Sequence, residues 1–182
     1  NSAKFFGQEV QSENPVVLYV CGEGFRGVNN RGMAMCEHYE WSAKKFSLTT
    51  SAVYFFDPAS LNELQENVQA MKRNQLNLQL IIIDTMNANF AGGDENSATD
   101  AAMFIKKLQE IIKIYPEASI GVVHHTGHMD KNRGRGSSAF FGSSDTYIMI
   151  NRDDETVYIN CTKQKDAPEF STISGRITKD HE

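Results

Sequence analysis

The stretch Leu80-Ile81-Ile82-Ile83-Asp84-Thr85 indicates the fold class of this chain. Its aliphatic residues form a continuous, mostly β-branched run, which predicts a strand buried on both faces of a parallel sheet. An acidic residue follows directly, at the carboxyl end of the strand, where parallel α/β sheets carry their working side chains. The stretch therefore predicts an α/β fold with a chemically active edge.

Strand-like and helix-like segments alternate on both sides of this stretch. Upstream we expect a strand at 16–20, a helix from about Val28 to Phe46, a strand at 52–56 and a helix at 60–74. Downstream, Ser97 can cap a helix that ends before Pro116, and a strand follows at 120–123. Alternation of this kind predicts a mostly parallel sheet flanked by helices.

The last part of the chain has a different pattern. Strand-like runs at 147–150 and 157–161 are separated by Asn151-Arg152-Asp153-Asp154, which is typical of a hairpin turn. We therefore expect one α/β domain over residues 1–182, with a C-terminal antiparallel hairpin.

Composition limits the possible classes of protein. The chain has 182 residues, 40% of them hydrophobic, and a net charge of -5 from 18 basic and 23 acidic residues. An acidic domain of this size is expected to be globular, and any contact with nucleic acid must be local. No apolar run approaches the roughly 20 residues that span a bilayer, so we expect no membrane segment. The cysteines, Cys21, Cys36 and Cys161, lie far apart, which suits small core residues in a reducing cytoplasm.

Polar residues follow each predicted strand of the parallel sheet. They are Glu23, Asp57, Asp84 and the pair His124-His125. Because the carboxyl ends of parallel strands share one edge, we expect these side chains to belong to a single site.

The roles of the two acids nearest the buried strand remain open at this stage. Asp84, followed by Thr85, has the pattern of a carboxylate that holds Mg²⁺ beside a nucleotide phosphate; the alternative is an Asp that caps a loop. Glu23 could orient a water for attack on a γ-phosphate, or be an ordinary loop residue. The stretch Gly22–Gly27 also matches the weak G-x-G-x-x-G pattern of dinucleotide-binding proteins, with Asp57 as its acidic partner.

The histidines permit two interpretations. His124, His125 and His128, with Asp130, could form a site for zinc in a metal-dependent hydrolase. Adjacent residues on a strand point to opposite faces, however, which disfavours a shared metal. A hydrogen-bonding sensor of phosphate is the better use for one of the histidines.

A loop rich in glycine and basic residues follows the histidines. Lys131, Arg133 and Arg135 could contact a nucleic-acid backbone or a neighbouring subunit, or could simply be solvated.

Four strings in this order resemble the plasmid RepA-type helicases and related phage primase-helicase ATPases. They are Gly92-Gly93-Asp94-Glu95-Asn96-Ser97 with Asp100, Val122-Val123-His124-His125-Thr126-Gly127, Arg135-Gly136-Ser137-Ser138-Ala139 with Asp145, and Lys163-Gln164-Lys165-Asp166. Together they cover the chain from about residue 16 to 166.

The resemblance implies a RecA-like P-loop NTPase core in a homo-oligomeric ring, usually hexameric, that hydrolyses ATP between subunits and drives a DNA helicase. It implies Asp84 as the Mg²⁺-linked acid, Glu23 as the residue that activates water, and His125, or less favourably His124, as the γ-phosphate sensor. Lys163 or Lys165 would reach a neighbour's ATP as a cationic finger. Lys131 and Arg133 would belong to a loop facing single-stranded DNA.

The sequence departs from this family at one point. No G-x-x-x-x-G-K-[ST] phosphate loop occurs in the 182 residues, whereas the family has one upstream of the strand at Val16. We therefore expect the chain to be a fragment lacking that segment, and to bind ATP weakly by itself. The alternative is a degenerate, non-catalytic ATPase module that serves oligomerisation or regulation.

Overall fold

A computed structural model describes residues 4–5, 8–9, 14–40, 42–127 and 134–177 of the chain. The chain divides into two compact units. The larger comprises residues 12–125 with 135–137, and the smaller comprises 1–11, 126–134 and 138–182. The strands are, in chain order, β1 (Lys4–Phe5), β2 (Gln8–Glu9), β3 (Val16–Cys21), β4 (Phe46–Leu48), β5 (Leu78–Asp84), β6 (Ser119–Val122), β7 (Thr146–Asp153), β8 (Thr156–Gln164) and β9 (Ile173–Arg176).

The helices begin where the sequence offers capping side chains. Asp57, Thr85 and Ser97 each accept a hydrogen bond from a backbone N–H in the first turn of the helix that follows. None of the helices among the described residues is long and apolar enough to cross a membrane. The helices are α1 (Phe25–His38), α2 (Pro58–Arg73), α3 (Met86–Asn89), α4 (Ala98–Ile114) and α5 (Ala139–Ser143).

The larger unit is built on a four-stranded parallel sheet in the order β4-β3-β5-β6. Ile81 and Ile83 on β5 are buried, and so are Leu64 of α2 and Phe104 of α4. Each such side chain contributes about 1.5–3 kcal/mol on burial, so the two central strands and the helices that cover them form the core of this unit. The predicted α/β fold, with helices flanking a parallel sheet, is confirmed.

The edge strand of this sheet lies elsewhere than the sequence predicted. The helix expected to continue to Phe46 ends at His38, and Phe46–Leu48 is the strand that pairs with β3. The predicted strand at 52–56 is wrong. Its alternating burial is real, but the backbone N–H groups of Val53 and Phe55 bond to Asn89 rather than to a neighbouring strand.

The smaller unit contains the predicted hairpin, now extended. Strands β7 and β8 pair antiparallel around Asp154 and Glu155, and Asp154 has φ 51, the left-handed conformation that tight hairpin turns require. The sequence did not predict β9, which adds a third strand beside β8. Arg176 of β9 forms an ion pair with Glu155 at the turn.

Candidate functional site

The carboxyl ends of β3 and β5 bring three predicted site residues together. Cys21 lies opposite Asp84 in the register, and the backbone N–H of Gly22 donates to the Asp84 carbonyl at 2.5 Å. The Thr85 hydroxyl donates to Glu23 Oε1 at 3.4 Å. Glu23, Asp84 and Thr85 therefore lie at one point of the sheet edge, with the exposed Glu23 carboxylate within reach of the Thr85 hydroxyl.

Asp84 has a partner that sequence reasoning missed. The Tyr19 hydroxyl donates to Asp84 Oδ2. Burial, followed by this hydrogen bond, raises the pKa of Tyr19 well above its ordinary value. The phenol is protonated at neutral pH, as an ordinary tyrosine is, and acts as a donor; the raised pKa extends that state to higher pH. A tyrosine inside an apolar strand carries no sequence signal for this role, because the contact depends on the register between two strands 65 residues apart.

This arrangement suits a hard divalent cation. Tyr19 occupies one carboxylate oxygen of Asp84, and the other oxygen can serve as a ligand. Mg²⁺ is commonly held by one or two carboxylates plus phosphate oxygens and waters. Asp84 therefore fits the predicted Mg²⁺ position, directly or through water.

The glycines of the G-x-G-x-x-G stretch have local structural roles. A Cβ on Gly22 would lie 2.6 Å from both Ala88 Cβ and Asn89 Nδ2, so the packing of α3 demands glycine there. Gly24 caps α1 with φ 69. Asp57, the acid that the dinucleotide pattern needs at a strand end, is the N-cap of α2 instead. The prediction that Asp57 belongs to the row of strand-end residues is wrong.

Asn89 stabilises the backbone next to Asp84, and sequence reasoning missed this residue as well. Its side chain is fully buried, donates to the Thr85 carbonyl at 2.8 Å and accepts from the Val53 N–H at 2.9 Å. The Phe55 N–H donates to the Asn89 carbonyl at 3.0 Å. Asn89 thus ties the segment that replaces the predicted strand to the residue beside Asp84.

The two histidines follow β6, the strand next to β5. The Val123 N–H donates to the Ile83 carbonyl at 2.9 Å, and the Met86 N–H donates to the Val123 carbonyl at 2.7 Å, so the chain leaves β6 beside the end of β5. His124 is half-buried, and its Nε2 lies 2.5 Å from the Arg135 carbonyl oxygen. His125 is exposed.

Arg135 pairs with an acidic residue of the Gly92–Ser97 string. Its Nε lies 2.5 Å from Glu95 Oε1, and its Nη2 donates to Glu95 Oε2 at 3.2 Å. The neighbouring loop, with Asn87 and Phe90, lines an open cleft of about 460 Å³. The sequence placed Arg135 in the basic loop without predicting this partner.

The two C-terminal lysines have separate environments in the smaller unit. Lys163 Nζ donates to the carbonyls of Phe141 and Gly142, at 2.7 and 2.9 Å, at the end of α5. Lys165 lies past the end of β8 and pairs with Asp145 at 3.4 Å, both side chains being exposed. Lys163 therefore belongs to β8, whereas Lys165 follows its last residue.

Part of the predicted site lies outside the described residues: Lys131 and Arg133 of the basic loop, and His128 and Asp130 of the alternative zinc site. Within the ranges that the structure describes, no group of three or more histidine, cysteine or acidic side chains could hold a metal ion. The cysteines in those ranges are free; Cys21 is the buried core residue that the sequence predicted, whereas Cys36 and Cys161 are only partly buried.

Comparisons with known proteins agree with this fold. A sequence model of the AAA domain family matches residues 2–131. Among solved structures, 154 chains match significantly. One is the crystal structure of the RadB recombinase, which is 16% identical and aligns with a TM-score of 0.56 over 90% of this chain and 76% of that one. At this identity the likeness shows a RecA-like fold. No curated protein matches the sequence.

Proposed function

The chain belongs to the AAA domain family and has a RecA-like fold, and on that premise we propose that it is the ATP-hydrolysing motor domain of a DNA helicase used in replication. The motor would work as a homo-oligomeric ring, of the RepA-type or phage primase-helicase kind, with ATP bound between subunits. The observation that carries the proposal is the contact of Thr85 with Glu23 beside Asp84, at the carboxyl edge of the parallel sheet.

We assign the activation of water to Glu23. It follows the end of β3, is exposed, and has one oxygen 3.4 Å from the Thr85 hydroxyl. The other oxygen can accept a proton from a water that attacks the γ-phosphate. In this role the carboxylate orients the water for in-line attack and accepts its proton as the bond to the leaving oxygen breaks.

Asp84 would hold the Mg²⁺ that accompanies ATP. When bound, the ion neutralises charge on the β- and γ-phosphates during transfer. The chain's own contribution is orientation: Tyr19 fixes one oxygen of the Asp84 carboxylate, and burial keeps that phenol protonated. Thr85, whose hydroxyl also caps α3, holds the turn that follows.

The remaining proposed roles are the γ-phosphate sensor, the cationic finger and the contact with DNA. We place the γ-phosphate sensor at His125, which is exposed at the end of β6, with His124 as the second candidate. Lys163 and Lys165 are the candidate cationic fingers toward a neighbour's ATP. Lys131 and Arg133 belong to the loop that would contact single-stranded DNA.

A matched pair of glutamate variants tests the proposal. The assay uses the longest natural protein that contains these 182 residues, because a phosphate loop is needed for tight nucleotide binding. Glu23→Gln should retain ATP binding while hydrolysis falls by about 100-fold or more, as expected for loss of a general base. Glu37→Gln, on the exposed face of α1, is the control and should hydrolyse ATP normally.

Two results would contradict the proposal. Hydrolysis by Glu23→Gln at the wild-type rate would make Glu23 a loop residue. A wild-type protein that contains a phosphate loop yet neither binds nor hydrolyses ATP would leave the non-catalytic module for oligomerisation as the better account.

A further inference from the structure

Three of the sequence strings on which the resemblance rests meet at one residue, Arg135. They are far apart in the chain: the loop 92–97, the histidine pair and the segment 135–137. The Arg135 guanidinium forms a two-point ion pair with Glu95, through Nε to Oε1 at 2.5 Å and Nη2 to Oε2 at 3.2 Å. The Glu95 side chain is only 14% exposed, so this pair is shielded from solvent more than a surface ion pair.

The backbone on either side of the ion pair is also fixed. The Ser137 N–H donates to the Glu95 carbonyl at 2.8 Å. Gly136 has φ 85, and a Cβ there would lie 2.7 Å from the Glu95 carbonyl oxygen. Only glycine permits this approach, because other residues would both strain the backbone and collide with Glu95. The ion pair, the backbone hydrogen bond and the close packing of Gly136 therefore fix the segment 135–137 against Glu95.

The other side of Arg135 contacts the histidines. Its backbone N–H donates to the His125 carbonyl at 3.0 Å, and its own carbonyl oxygen lies 2.5 Å from His124 Nε2. A carbonyl oxygen can only accept a hydrogen bond, so Nε2 of His124 must carry a proton. The position of the Arg135 carbonyl thus decides which ring nitrogen of His124 is protonated and where the ring points.

We infer that Glu95 and Arg135 are positioning residues for His124. The Glu95–Arg135 ion pair, named here the clamp, holds the Arg135 carbonyl where it fixes the His124 ring beside the end of β5. In this arrangement the guanidinium charge of Arg135 is neutralised within the chain. The clamp gives Arg135 a role different from the DNA contact proposed for Lys131 and Arg133.

The direct test observes the His124 ring by NMR in the 182-residue chain. A ring N–H that is held in a hydrogen bond exchanges slowly enough with water to be observed, whereas a solvated one does not. The wild type should show this Nε2–H signal, identified by its absence in His124→Asn. Arg135→Ala leaves the backbone carbonyl in place, so loss of the signal in that variant would come from the missing guanidinium alone. Glu95→Ala should lose it as well, and Glu95→Gln should retain part of it.

Controls separate positioning from a general loss of stability. Glu155→Ala and Arg176→Ala break an exposed ion pair in the other unit and should leave the His124 signal unchanged. Arg135→Lys keeps the charge and serves if Arg135→Ala does not fold. A signal that persists in folded Glu95→Ala and in folded Arg135→Ala or Arg135→Lys would overturn the inference.

The consequence for turnover rests on the proposed function and is measured separately. If His124 or His125 contacts the transferring phosphate, Glu95→Ala should lower kcat by about tenfold, typical of losing an orienting partner, with KM little changed. If the clamp variants lose the NMR signal while a wild-type protein that contains a phosphate loop neither binds nor hydrolyses ATP, the proposed function is refuted and the clamp stands. A lowered affinity for single-stranded DNA in Arg135→Ala, with the His124 signal intact, would assign Arg135 to DNA binding and refute the clamp.

Discussion

Polar side chains are held in opposite ways in the two units of the chain. At the carboxyl edge of the parallel sheet, Tyr19, Thr85 and Asn89 bond to other side chains or to buried backbone, and Thr85 and Asn89 are themselves buried. In the antiparallel sheet the charged side chains of Lys165 and Arg176 pair with partners that are half or more exposed. The polar groups named in the first region are tied to the buried part of the fold, whereas the two ion pairs of the second lie in solvent and contribute little to stability. The proposed catalytic residues belong to the first region, and the proposed cationic fingers belong to the second.

Asn89→Ala should have the largest effect on stability. The substitution leaves the buried Val53 N–H without its acceptor, which costs about 1–3 kcal/mol, and removes the side-chain donor to the Thr85 carbonyl, which keeps the backbone N–H of residue 89 as a donor at 3.2 Å. We expect the free energy of unfolding to fall by about 3 kcal/mol in urea denaturation. Asn62→Ala, which removes an exposed hydrogen bond to Glu66 on α2, is the control and should change it by less than about 0.5 kcal/mol. Equal losses in both variants would contradict the contrast between buried and exposed polar groups.

Tyr19→Phe should have an intermediate effect on the free energy of unfolding, and this effect should depend on pH. At pH 7 it removes a hydrogen bond to a carboxylate, worth about 1.5–3 kcal/mol. The pKa of Tyr19 is raised in the folded state, so the wild type gains this stability below the ordinary tyrosine pKa near 10 and loses it as pH rises toward the folded value.

Urea denaturation at pH 8 and pH 11 measures this dependence. Between the two pH values, the free energy of unfolding should fall more in the wild type than in Tyr19→Phe. The difference in free energy of unfolding between the two proteins should therefore be smaller at pH 11 than at pH 8. Parallel losses would show that the Tyr19 hydroxyl is solvated.

Lysine variants in the smaller unit should have the least effect on stability. The ion pair of Lys165 with Asp145 is exposed on both sides, so Lys165→Ala should change the free energy of unfolding by less than about 0.5 kcal/mol. If the lysines act on a neighbour's ATP, a ring of Lys163→Ala, Lys165→Ala subunits should nevertheless be inactive.

Mixing experiments sharpen this expectation. Combined with Glu23→Gln subunits, the double lysine variant would form some interfaces with an intact Glu23 and intact lysines, and partial ATPase activity should return. Normal hydrolysis by the double variant alone would rule out the finger role, and the contrast between the two units would lose its functional meaning.

Sequence reasoning succeeded where the signal is local. The aliphatic run before Asp84 predicted the central strand, and the turn residues near Asp154 predicted the hairpin. It failed at residues 52–56, where alternating burial is typical of a strand but Asn89 supplies the hydrogen bonds. It also missed Tyr19 and the partner of Arg135, because those contacts depend on how segments far apart in sequence are brought together. The proximity of Glu23, Asp84 and Thr85 could be predicted, because the carboxyl ends of parallel strands share one edge of the sheet.

The proposed nucleotide site depends on Asp84 as the residue that holds Mg²⁺, and the Mg²⁺-dependent affinity for ATP measures that role. Calorimetry on the natural protein that contains this chain would compare wild type, Asp84→Asn and Asp57→Asn, with and without Mg²⁺. Asp57→Asn is a clean control, since asparagine caps α2 as well as aspartate does. The account predicts that Asp84→Asn lowers the affinity for Mg-ATP by about tenfold or more, while Asp57→Asn binds like the wild type. Equal Mg-ATP affinity in all three proteins would contradict it.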